Sequence, residues 1–391
     1  VPSQRLASGD LAFLARSVPS LGSFRYTIVE GKAPAAGGVR VTGNVVSNGI
    51  LTVTIDRTAG TISSLKDRFG MEYVKTGEGS GLNQYLYVPG KDPAKARTSV
   101  GTSFQIVDNG PLVATVRVTS SAPGCRSLVQ EYRIVDGLER VVMVNTMDRE
   151  KVREKEAVHF GFPAQPAEGT FRLDGSWGIM RPGADQLPGS NMEYFSTGRW
   201  LDLSNQDRGL TWVTVESPLV QLGAMVDESP DARGLRQWRT TLPAGTNFYS
   251  YVMNNYWHTN YAADQPGPAT VTFALYTHGI FNAADAYRRG VEQNQPLIVR
   301  TTAASSPLPL TLFGVSVPGV AATSVKPSAD GKAVMVRLFN CSGKPENFSL
   351  QWKGLRPSKV YRSSVFETKE GEAGEALSLP AFGIMTLRCE K

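Results

Sequence analysis

The sequence predicts an all-β protein made of antiparallel sheets, and three observations lead to that class. Apolar and polar residues alternate with a period of two in residues 51–56, 112–120, 270–278 and 333–340. Such alternation is typical of strands that are buried on one face. Connectors rich in glycine and proline recur between these stretches, and the chain has 39 Gly and 24 Pro, which favours turns. Many strands of this kind indicate sandwiches or barrels.

The third observation is that a single stretch, residues 282–296, has the pattern of a helix. Asn282 is placed to cap the N-terminus, Asp285 lies in the first turn, and Pro296 ends the segment. The sequence therefore predicts one short helix near residues 282–293. Its packing stripe is expected to contain three side chains: Ala286, Tyr287 and Val291.

The length of 391 residues is too great for one ordinary domain. Residues 30–38 and 301–310 are small, polar and contain glycine or proline, as linkers do. They divide the chain into three parts: a remnant of a small β-domain (1–35), a large β-supersandwich domain (36–300) and a small C-terminal β-sandwich domain (306–391). The first part offers strands only in residues 10–15 and 23–30, too few to bury a core alone. We expect it to be part of an interrupted domain or an arm that docks on a neighbour.

Composition argues against several classes of partner. Apolar residues make up 41% of the chain and charged residues 19%, as in a globular protein. The formal charge of +6 is not gathered in a basic block, because the densest charge run, residues 148–156, mixes both signs. We therefore expect no nucleic-acid partner, and no apolar run is long enough to indicate a membrane. The three cysteines are scattered, which predicts no disulfide framework and leaves the compartment open between cytoplasm and periplasm.

Residue types that carry common hydrolytic chemistry are sparse. The three histidines, His159, His258 and His278, lie in no HxH, HxD or HExxH arrangement. A zinc site built within this chain is therefore not expected. His159 lies in a stretch read as an alternating strand and is expected to be a hydrogen-bonded structural residue, while His278 is expected to serve a turn. The chain also has no GxSxG elbow and no phosphate-binding loop.

Glycoside hydrolysis needs a pair of carboxylates, and Asp174, Asp202 and Asp264 are candidates. With 35 acidic residues in the chain, spacing cannot single out a pair, and a solvated turn acid is the favoured interpretation of each. Stretches that mix aromatic and amide side chains are a different signal, because sugars stack on aromatic faces and bind amides through their hydroxyls. Three stretches have this character: residues 82–90, 192–204 and 251–267.

Several stretches, taken in order, resemble one family. They include "NGILTVTIDRTAGTISSLKDRFGMEYV" (48–74), "GRWLDLSNQDRGLTWV" (198–213), "MNNYWHTNYAADQPG" (253–267) and "VRLFNCSGKPENFSL" (336–350). Together they resemble the C-terminal β-rich region of glycoside hydrolase family 38, the α-mannosidases, and the resemblance covers almost the whole chain.

The resemblance implies a large antiparallel supersandwich of the galactose-mutarotase-like kind, flanked by small immunoglobulin-like β-sandwich pieces. It also implies retaining hydrolysis of α-mannosides with an aspartate nucleophile, a carboxylic acid/base and one zinc ion. In the family these groups belong to N-terminal domains, which nothing in this sequence resembles. We therefore assign no catalytic residue and no metal ligand to this chain, and we expect the zinc in the catalytic domain of a parent enzyme.

The resulting hypothesis is that the chain is the C-terminal portion of a bacterial-type α-mannosidase. Its expected partners are its own N-terminal catalytic domain and the α-mannoside substrate, and oligomerisation stays open. Five residues are expected to face that domain, where they could touch sugar: Asn255, Trp257, His258, Asn260 and Tyr261. Two alternatives are a free-standing carbohydrate-binding or mutarotase-like module and a purely structural or assembly module.

Overall fold

The computed structural model describes residues 1–31, 36–75, 81–236, 238–256, 262–303, 311–353 and 356–390. Every strand pairing in these residues is antiparallel, and they contain a single α-helix, so the predicted all-β class is confirmed. The three predicted domain boundaries stay predictions.

The N-terminal segment forms a hairpin that is fastened to the large β-region by the Gln4 side chain and by a hydrogen bond from the Ala7 N–H to Asp108 at 2.9 Å. Its two strands are β1 (Ser3–Arg5) and β2 (Leu11–Phe13). The Gln4 Oε1 atom accepts hydrogen bonds from the backbone N–H groups of Leu112 and Val113, at 3.1 and 2.8 Å, and its Nε2 donates to the Val113 carbonyl at 3.0 Å. A Cβ atom on Gly110 would lie 2.1 Å from the end of the Gln4 side chain, so a larger residue there would displace Gln4 from these hydrogen bonds.

The strand predicted in residues 23–30 is wrong, because the structure has no strand there. Ile28 and Val29 in this stretch are exposed. The alternation that suggested a strand lacks a neighbouring chain with which to form a ladder among the described residues. A period of two cannot by itself supply a pairing partner.

Two large sheets follow a four-stranded antiparallel sheet. The strands of the small sheet are β3 (Arg40–Thr42), β4 (Val45–Ser47), β5 (Leu51–Ile55) and β6 (Ile62–Asp67). The strands of the large sheets are β7 (Gln84–Pro89), β8 (Arg97–Thr98), β9 (Val100–Asn109), β10 (Val113–Ala122), β11 (Cys125–Val135), β12 (Arg140–Arg149), β13 (Glu156–Pro163), β14 (Thr170–Gly175), β15 (Gly178–Met180), β16 (Phe195–Ser196), β17 (Trp200–Ser204), β18 (Gly209–Thr214), β19 (Leu219–Leu222), β20 (Asn247–Asn254) and β21 (Gly267–His278). A 3₁₀ turn spans Pro93–Lys95.

The two large sheets face each other across one aromatic core. One has nine strands in the order β15-β14-β17-β18-β21-β12-β11-β10-β9, and the other has six in the order β16-β19-β20-β13-β7-β8. Phe162 of the six-stranded sheet stacks on Phe248, with ring centroids 4.9 Å apart, and meets Trp212 and Phe273 of the nine-stranded sheet edge-on at 5.7 and 5.6 Å. Offset and edge-on aromatic pairs of this kind stabilise a core beyond their buried area.

Predicted alternation is confirmed in β5 but not in β13. Leu51, Val53 and Ile55 are buried on β5 while the threonines between them are half-buried. All eight residues of β13 are buried, so His159 does not lie on an alternating strand as the sequence suggested. Other segments of the chain also cover the outer face of this strand.

The helix α1 (Ala283–Asn294) occurs where the sequence predicts it. The Asn282 side chain caps it by accepting a hydrogen bond from the Asp285 N–H at 3.1 Å. Ala286 packs against the outer face of the nine-stranded sheet, and Tyr287 contacts the C-terminal sandwich. Gly290 allows a close approach, since a Cβ atom there would lie 2.9 Å from the Trp200 ring. Within the described ranges, no helix combines the length and apolarity that crossing a membrane requires.

The C-terminal region forms a small sandwich with its own core. Its strands are β22 (Phe313–Val315), β23 (Val320–Pro327), β24 (Ala333–Asn340), β25 (Glu346–Phe348), β26 (Leu350–Trp352), β27 (Lys359–Ser363), β28 (Lys369–Glu372), β29 (Leu377–Leu379) and β30 (Ile384–Glu390). Phe313, Val336, Leu338 and Leu387 are fully buried in its core. The central sheet has the order β23-β24-β30-β27-β28.

Candidate functional site

The segment that follows β20 is closed at its base by one asparagine. The Asn255 Oδ1 atom accepts a hydrogen bond from the Glu156 N–H at 2.6 Å. Its Nδ2 atom donates to the carbonyls of Val152, Glu154 and Ala263 at 3.1, 2.7 and 3.2 Å. A rotated amide would set its oxygen against three carbonyls, so hydrogen bonding fixes this orientation. Because Ala263 lies beyond residues 257–261, Asn255 ties the two ends of that loop together.

Two further contacts hold the loop ends against residues 150–156. The Lys155 ammonium donates to the Tyr256 carbonyl, and the Arg153 Nε atom lies 2.9 Å from the Asp264 carboxylate. Asp264 is therefore an ion-paired, largely buried side chain. Its interpretation as a solvated turn acid is wrong, because its partner comes from a segment more than a hundred residues away.

The five predicted sugar-contacting residues divide into two groups. Asn255 is buried, and each of its polar side-chain atoms is bonded to backbone, so it positions the loop. The other four predicted residues lie outside the described residues, and sugar contact stays a prediction for them: Trp257, His258, Asn260 and Tyr261.

A buried ion pair supports the strand end beneath this loop. Arg149 and Glu156 lie 2.5 Å apart and are both almost fully inaccessible to solvent. Burial raises the pKa of Glu156, and the Arg149 guanidinium opposes that shift. Removing either partner alone would leave an uncompensated buried charge. The pair therefore fixes the junction between β12 and β13 from which residues 150–156 emerge.

A second group of side chains lies close to Tyr256, and we call it the tryptophan platform: Glu193, Glu228, Arg236, Trp238 and Arg239. The Arg236 Nη2 atom donates to Glu193 Oε2 at 2.5 Å, and its Nε atom lies 3.0 Å from Glu228 Oε2. The guanidinium carbon lies 4.2 Å from the ring centroid of Trp238. Glu193 Oε1 accepts from the Arg239 N–H at 3.0 Å. Trp238 itself is 58% exposed.

The platform and Tyr256, the second residue after β20, share the outer face of the six-stranded sheet. Tyr251, on β20, stacks on His159 with ring centroids 4.3 Å apart and on Tyr194 at 5.8 Å. The Tyr194 hydroxyl accepts a hydrogen bond from Arg236 at 3.4 Å. Burial raises the pKa of Tyr256, and the Glu228 carboxylate raises it further. The Glu228 carboxylate is therefore within electrostatic reach of the Tyr256 hydroxyl.

His159 is a neutral residue within this stack. Burial lowers its pKa to about 3, and the Gln221 side chain opposes that shift. At neutral pH the ring therefore carries no charge and serves packing. A packing role agrees with the structural role expected from the sequence, but the expected hydrogen bonds are not found, since neither ring nitrogen has a hydrogen-bond partner among the described residues.

The two remaining carboxylate candidates are buried ion pairs. Asp202 is fully buried and accepts from the Thr211 hydroxyl at 2.9 Å, and its Oδ2 lies 2.7 Å from His278 Nε2. Asp174 is buried beside Arg199, whose Nε lies 3.2 Å away. The interpretation of both as solvated turn acids is wrong. Their partners are distant in sequence, so no local pattern reveals them.

His278 and Asp202 form the kind of histidine–carboxylate pair that a sugar epimerase would need, but their placement does not suit that chemistry. His278 Nδ1 is also bonded, to the Gly279 carbonyl at 2.9 Å. Both ring nitrogens are thus occupied and the carboxylate has no access to solvent. The sequence predicted only a turn role for His278. The ring also links β21 to β17 within the nine-stranded sheet, through its contact with Asp202.

An open cavity of about 520 Å³ lies elsewhere, between the start of α1 and the C-terminal sandwich. Its arginines are already engaged. Arg181 forms paired hydrogen bonds with Asp185, the shortest at 2.7 Å, and Arg172 donates to the Ser204 hydroxyl at 2.8 Å. The described residues also contain no group of three His, Cys, Asp or Glu side chains that could hold a metal ion.

Comparisons with known proteins agree with this architecture. Residues 319–387 match the family model described as the glycosyl hydrolases family 38 C-terminal beta sandwich domain. The resemblance to family 38 is confirmed. A relative named "Putative mannosylglycerate hydrolase", from Halalkalibacterium halodurans, is 24% identical over 399 residues, which cover 89% of this chain and 42% of that protein.

Solved structures show the same fold. A family 38 protein from Enterococcus faecalis has a TM-score of 0.71 at 13% identity, covering 93% of this chain and 46% of its own. An alpha-mannosidase from Enterococcus faecalis V583 has a TM-score of 0.72 at 14% identity, covering 93% of this chain and 44% of its own. The chain therefore spans less than half the length of these relatives. The likeness extends over both sandwiches and confirms the predicted fold class.

Sequence reasoning missed the tryptophan platform, although a signal was present. The stretch Arg-Gln-Trp-Arg, residues 236–239, sets two long cations on either side of an indole. It lies in residues 225–246, where the described residues form no strand or helix and therefore show no periodicity. The anchor, Glu193, is 43 residues away from Arg236.

Proposed function

We propose that this chain is the C-terminal β-rich region of a glycoside hydrolase that acts on α-mannosides. The supporting observation is the length of the match to the mannosylglycerate hydrolase relative, which extends over 89% of this chain. The family model covers the C-terminal sandwich, and the fold of the alpha-mannosidase structure extends over the remainder. Fold alone does not carry function, so the substrate rests on the named relative.

The chain's part in this function is to support a catalytic domain and to complete the edge of its sugar cleft. The loop closed by Asn255 carries one indole, one imidazole, one amide and one phenol at residues 257–261. Aromatic and amide groups are those that bind sugar rings and hydroxyls. Asn255 fixes the described residues that flank this segment, and a fixed frame lowers the conformational entropy that is lost at binding, which favours affinity.

The hydrolytic groups belong, in this proposal, to the catalytic domain. Retaining hydrolysis needs a nucleophilic carboxylate and an acid/base carboxylic acid a short distance apart, and the proposed enzyme also uses one zinc ion there. The described residues of this chain do not fit a metal site. No step of the reaction is therefore assigned to their side chains.

The first test measures hydrolysis of an aryl α-mannoside and of mannosylglycerate with zinc supplied. We expect the 391-residue chain to be inactive alone and the protein encoded by its full reading frame to be active. Turnover at enzymatic rates by the isolated chain would overturn the division of roles. A full-length protein that hydrolyses neither substrate would overturn the substrate class.

The second test addresses the loop within the full-length enzyme. Trp257→Ala and Tyr261→Ala are expected to lower kcat/KM at least about tenfold, the loss that one sugar contact of about 1.4 kcal/mol would give. Phe69→Ala is the matched control, because Phe69 is an exposed aromatic in a different turn. Unchanged kinetics in both loop variants would remove the loop from the cleft.

A further inference from the structure

Trp238 is an exposed aromatic residue that is held rigidly. Exposed apolar side chains that occur singly on a protein surface are common and need no explanation. Trp238 differs because the residues two before it and one after it are both anchored: Arg236 by two carboxylates and Arg239 by its own backbone N–H on Glu193. Glu193 is buried, and each of its oxygens accepts one of these bonds.

The second arginine adds further anchors to the same segment. The guanidinium of Arg239 donates to the carbonyls of Ala224 and Met225 at 3.2 and 3.1 Å. The Arg239 carbonyl in turn accepts from the Met192 N–H at 3.3 Å. A segment without ladder hydrogen bonds is thus fixed on both sides of the indole. A rigid aromatic loses little conformational entropy when a ligand binds, which is the advantage of preorganisation.

The chemistry around the indole suits a sugar ring. Arg236 lies over the ring of Trp238, and more than half of the residue's surface is still open to solvent. An indole face packs against the C–H face of a pyranose, and the neighbouring Glu228 carboxylate can accept hydrogen bonds from its hydroxyls. The core of a protein–protein interface is depleted of glutamate. Glu228, which is partly exposed and pairs with the Arg236 that lies over the indole, therefore favours a polar ligand over a protein partner.

We propose that the tryptophan platform is a saccharide-binding subsite, with one pyranose ring stacked on Trp238 and its hydroxyls directed at Glu228. It is built entirely from residues of this chain. The proposal rests on the proposed function for the choice of a mannoside as ligand. It adds a second sugar contact, separate from residues 257–261.

The test uses fluorine NMR of the chain labelled with 5-fluorotryptophan. The six tryptophans give six resonances, each assigned by a Trp→Phe substitution. The protein is titrated with methyl α-D-mannopyranoside and with an α-linked mannobiose. We expect a saturable shift of the Trp238 resonance in the wild-type chain. Calorimetric titration with the same two ligands is expected to show at least tenfold weaker binding in Trp238→Ala, with partial recovery in Trp238→Phe. Glu228→Gln is expected to weaken binding while leaving the fold intact.

Leu235→Ala is the matched control, because Leu235 is also 58% exposed and lies in the same segment. Its binding should equal that of the wild-type chain. A wild-type chain that shows no saturable shift, a shift confined to Trp257, or binding that survives Trp238→Ala would each overturn the proposal. Equal losses in Leu235→Ala and Trp238→Ala would also overturn it, because the indole would then contribute nothing that another exposed side chain of the segment does not.

These outcomes are separable from those of the proposed function. Hydrolysis by the full-length enzyme and its dependence on residues 257–261 are measured without reference to Trp238. A platform that binds no saccharide leaves the hydrolase proposal standing. Conversely, saturable binding at Trp238 would persist as a finding if the enzyme proved to act on another sugar.

Discussion

Substituting Asn255 tests whether the loop at residues 257–261 is held from its base. The side chain makes four contacts to backbone groups, one as acceptor and three as donor. An amide has only two N–H hydrogens, so the three donor contacts amount to about two full bonds. With about 1 kcal/mol for each net hydrogen bond, Asn255→Ala should lower the free energy of unfolding by about 3 kcal/mol.

Two companion variants test whether lost hydrogen bonds cause this loss of stability. Asn255→Asp keeps the acceptor for the Glu156 N–H but sets a second carboxylate oxygen against three carbonyls. It should therefore be at least as destabilising as the alanine variant at pH 7. Its carboxyl pKa would be raised in the folded state, so part of the loss should be relieved as pH falls and a donor proton returns. Asn254→Ala is the control, since within the described part of the chain the Asn254 side chain makes one hydrogen bond, accepted from the Tyr256 N–H at 3.2 Å.

The assay combines urea unfolding with hydrogen exchange at the Glu156 amide, which donates to Asn255. Exchange at that amide should accelerate in Asn255→Ala, and proteolytic cleavage between residues 256 and 263 should become faster. The reasoning is refuted if Asn255→Ala loses no more stability than Asn254→Ala and the Glu156 amide keeps its protection. In the full-length enzyme, the same variant should reduce kcat/KM through the position of the loop.

Three further predictions concern the scaffold. His159, whose pKa falls to about 3 on burial, takes up a proton below pH 6.5 in the unfolded chain but not in the native one. Stability should therefore fall by about 2 kcal/mol between pH 7 and pH 5 on this account, and His159→Phe should abolish that part of the slope in urea unfolding. An unchanged slope would contradict it. Asp330 accepts from Ser328, the Lys332 N–H and Arg388, contacts that hold its pKa well below the usual range. Its contribution is present above about pH 4 and is lost as pH falls below that value, so thermal melting of Asp330→Asn should be lower than wild type at pH 7 and converge with it in acid; a constant gap would exclude this. Gly290→Ala should destabilise by about 1–3 kcal/mol in chemical denaturation despite the better helix propensity of alanine, because its Cβ would lie 2.9 Å from the Trp200 ring; a gain in stability would contradict it.

Local signals explain why the helix and many strands could be predicted from sequence. The cap at Asn282, the acidic first turn and the following proline act within a few residues, and the observed helix begins and ends accordingly. Alternation in β5 reports one buried face and one partly exposed face. The same logic fails in β13, which is covered on both sides, and in residues 23–30, where nothing described pairs with the chain.

Long-range pairing explains why the candidate site could be predicted only in part. The sequence shows a cluster of aromatic and amide residues in residues 251–267. The role of Asn255 within it depends on carbonyls about a hundred residues earlier. Asp202 and His278 are 76 residues apart, and both looked unremarkable in their own segments. Burial and pairing of single polar side chains are tertiary properties that no periodicity encodes.

The segment closed by Asn255 and the platform are anchored in the same way. This anchoring distinguishes residues that hold the surface in place from residues that face a ligand. The described residues that flank 257–261 and the residues of the platform are each fixed by a buried polar side chain, Asn255 or Glu193, that bonds to backbone or to an arginine. Anchors of this kind affect function through position, so their loss lowers stability as well. An exposed indole such as Trp238 has few native contacts to lose, so its removal should change binding with little effect on unfolding. A residue's joint effect on binding and stability therefore distinguishes the ligand-facing members of this surface from the groups that hold them.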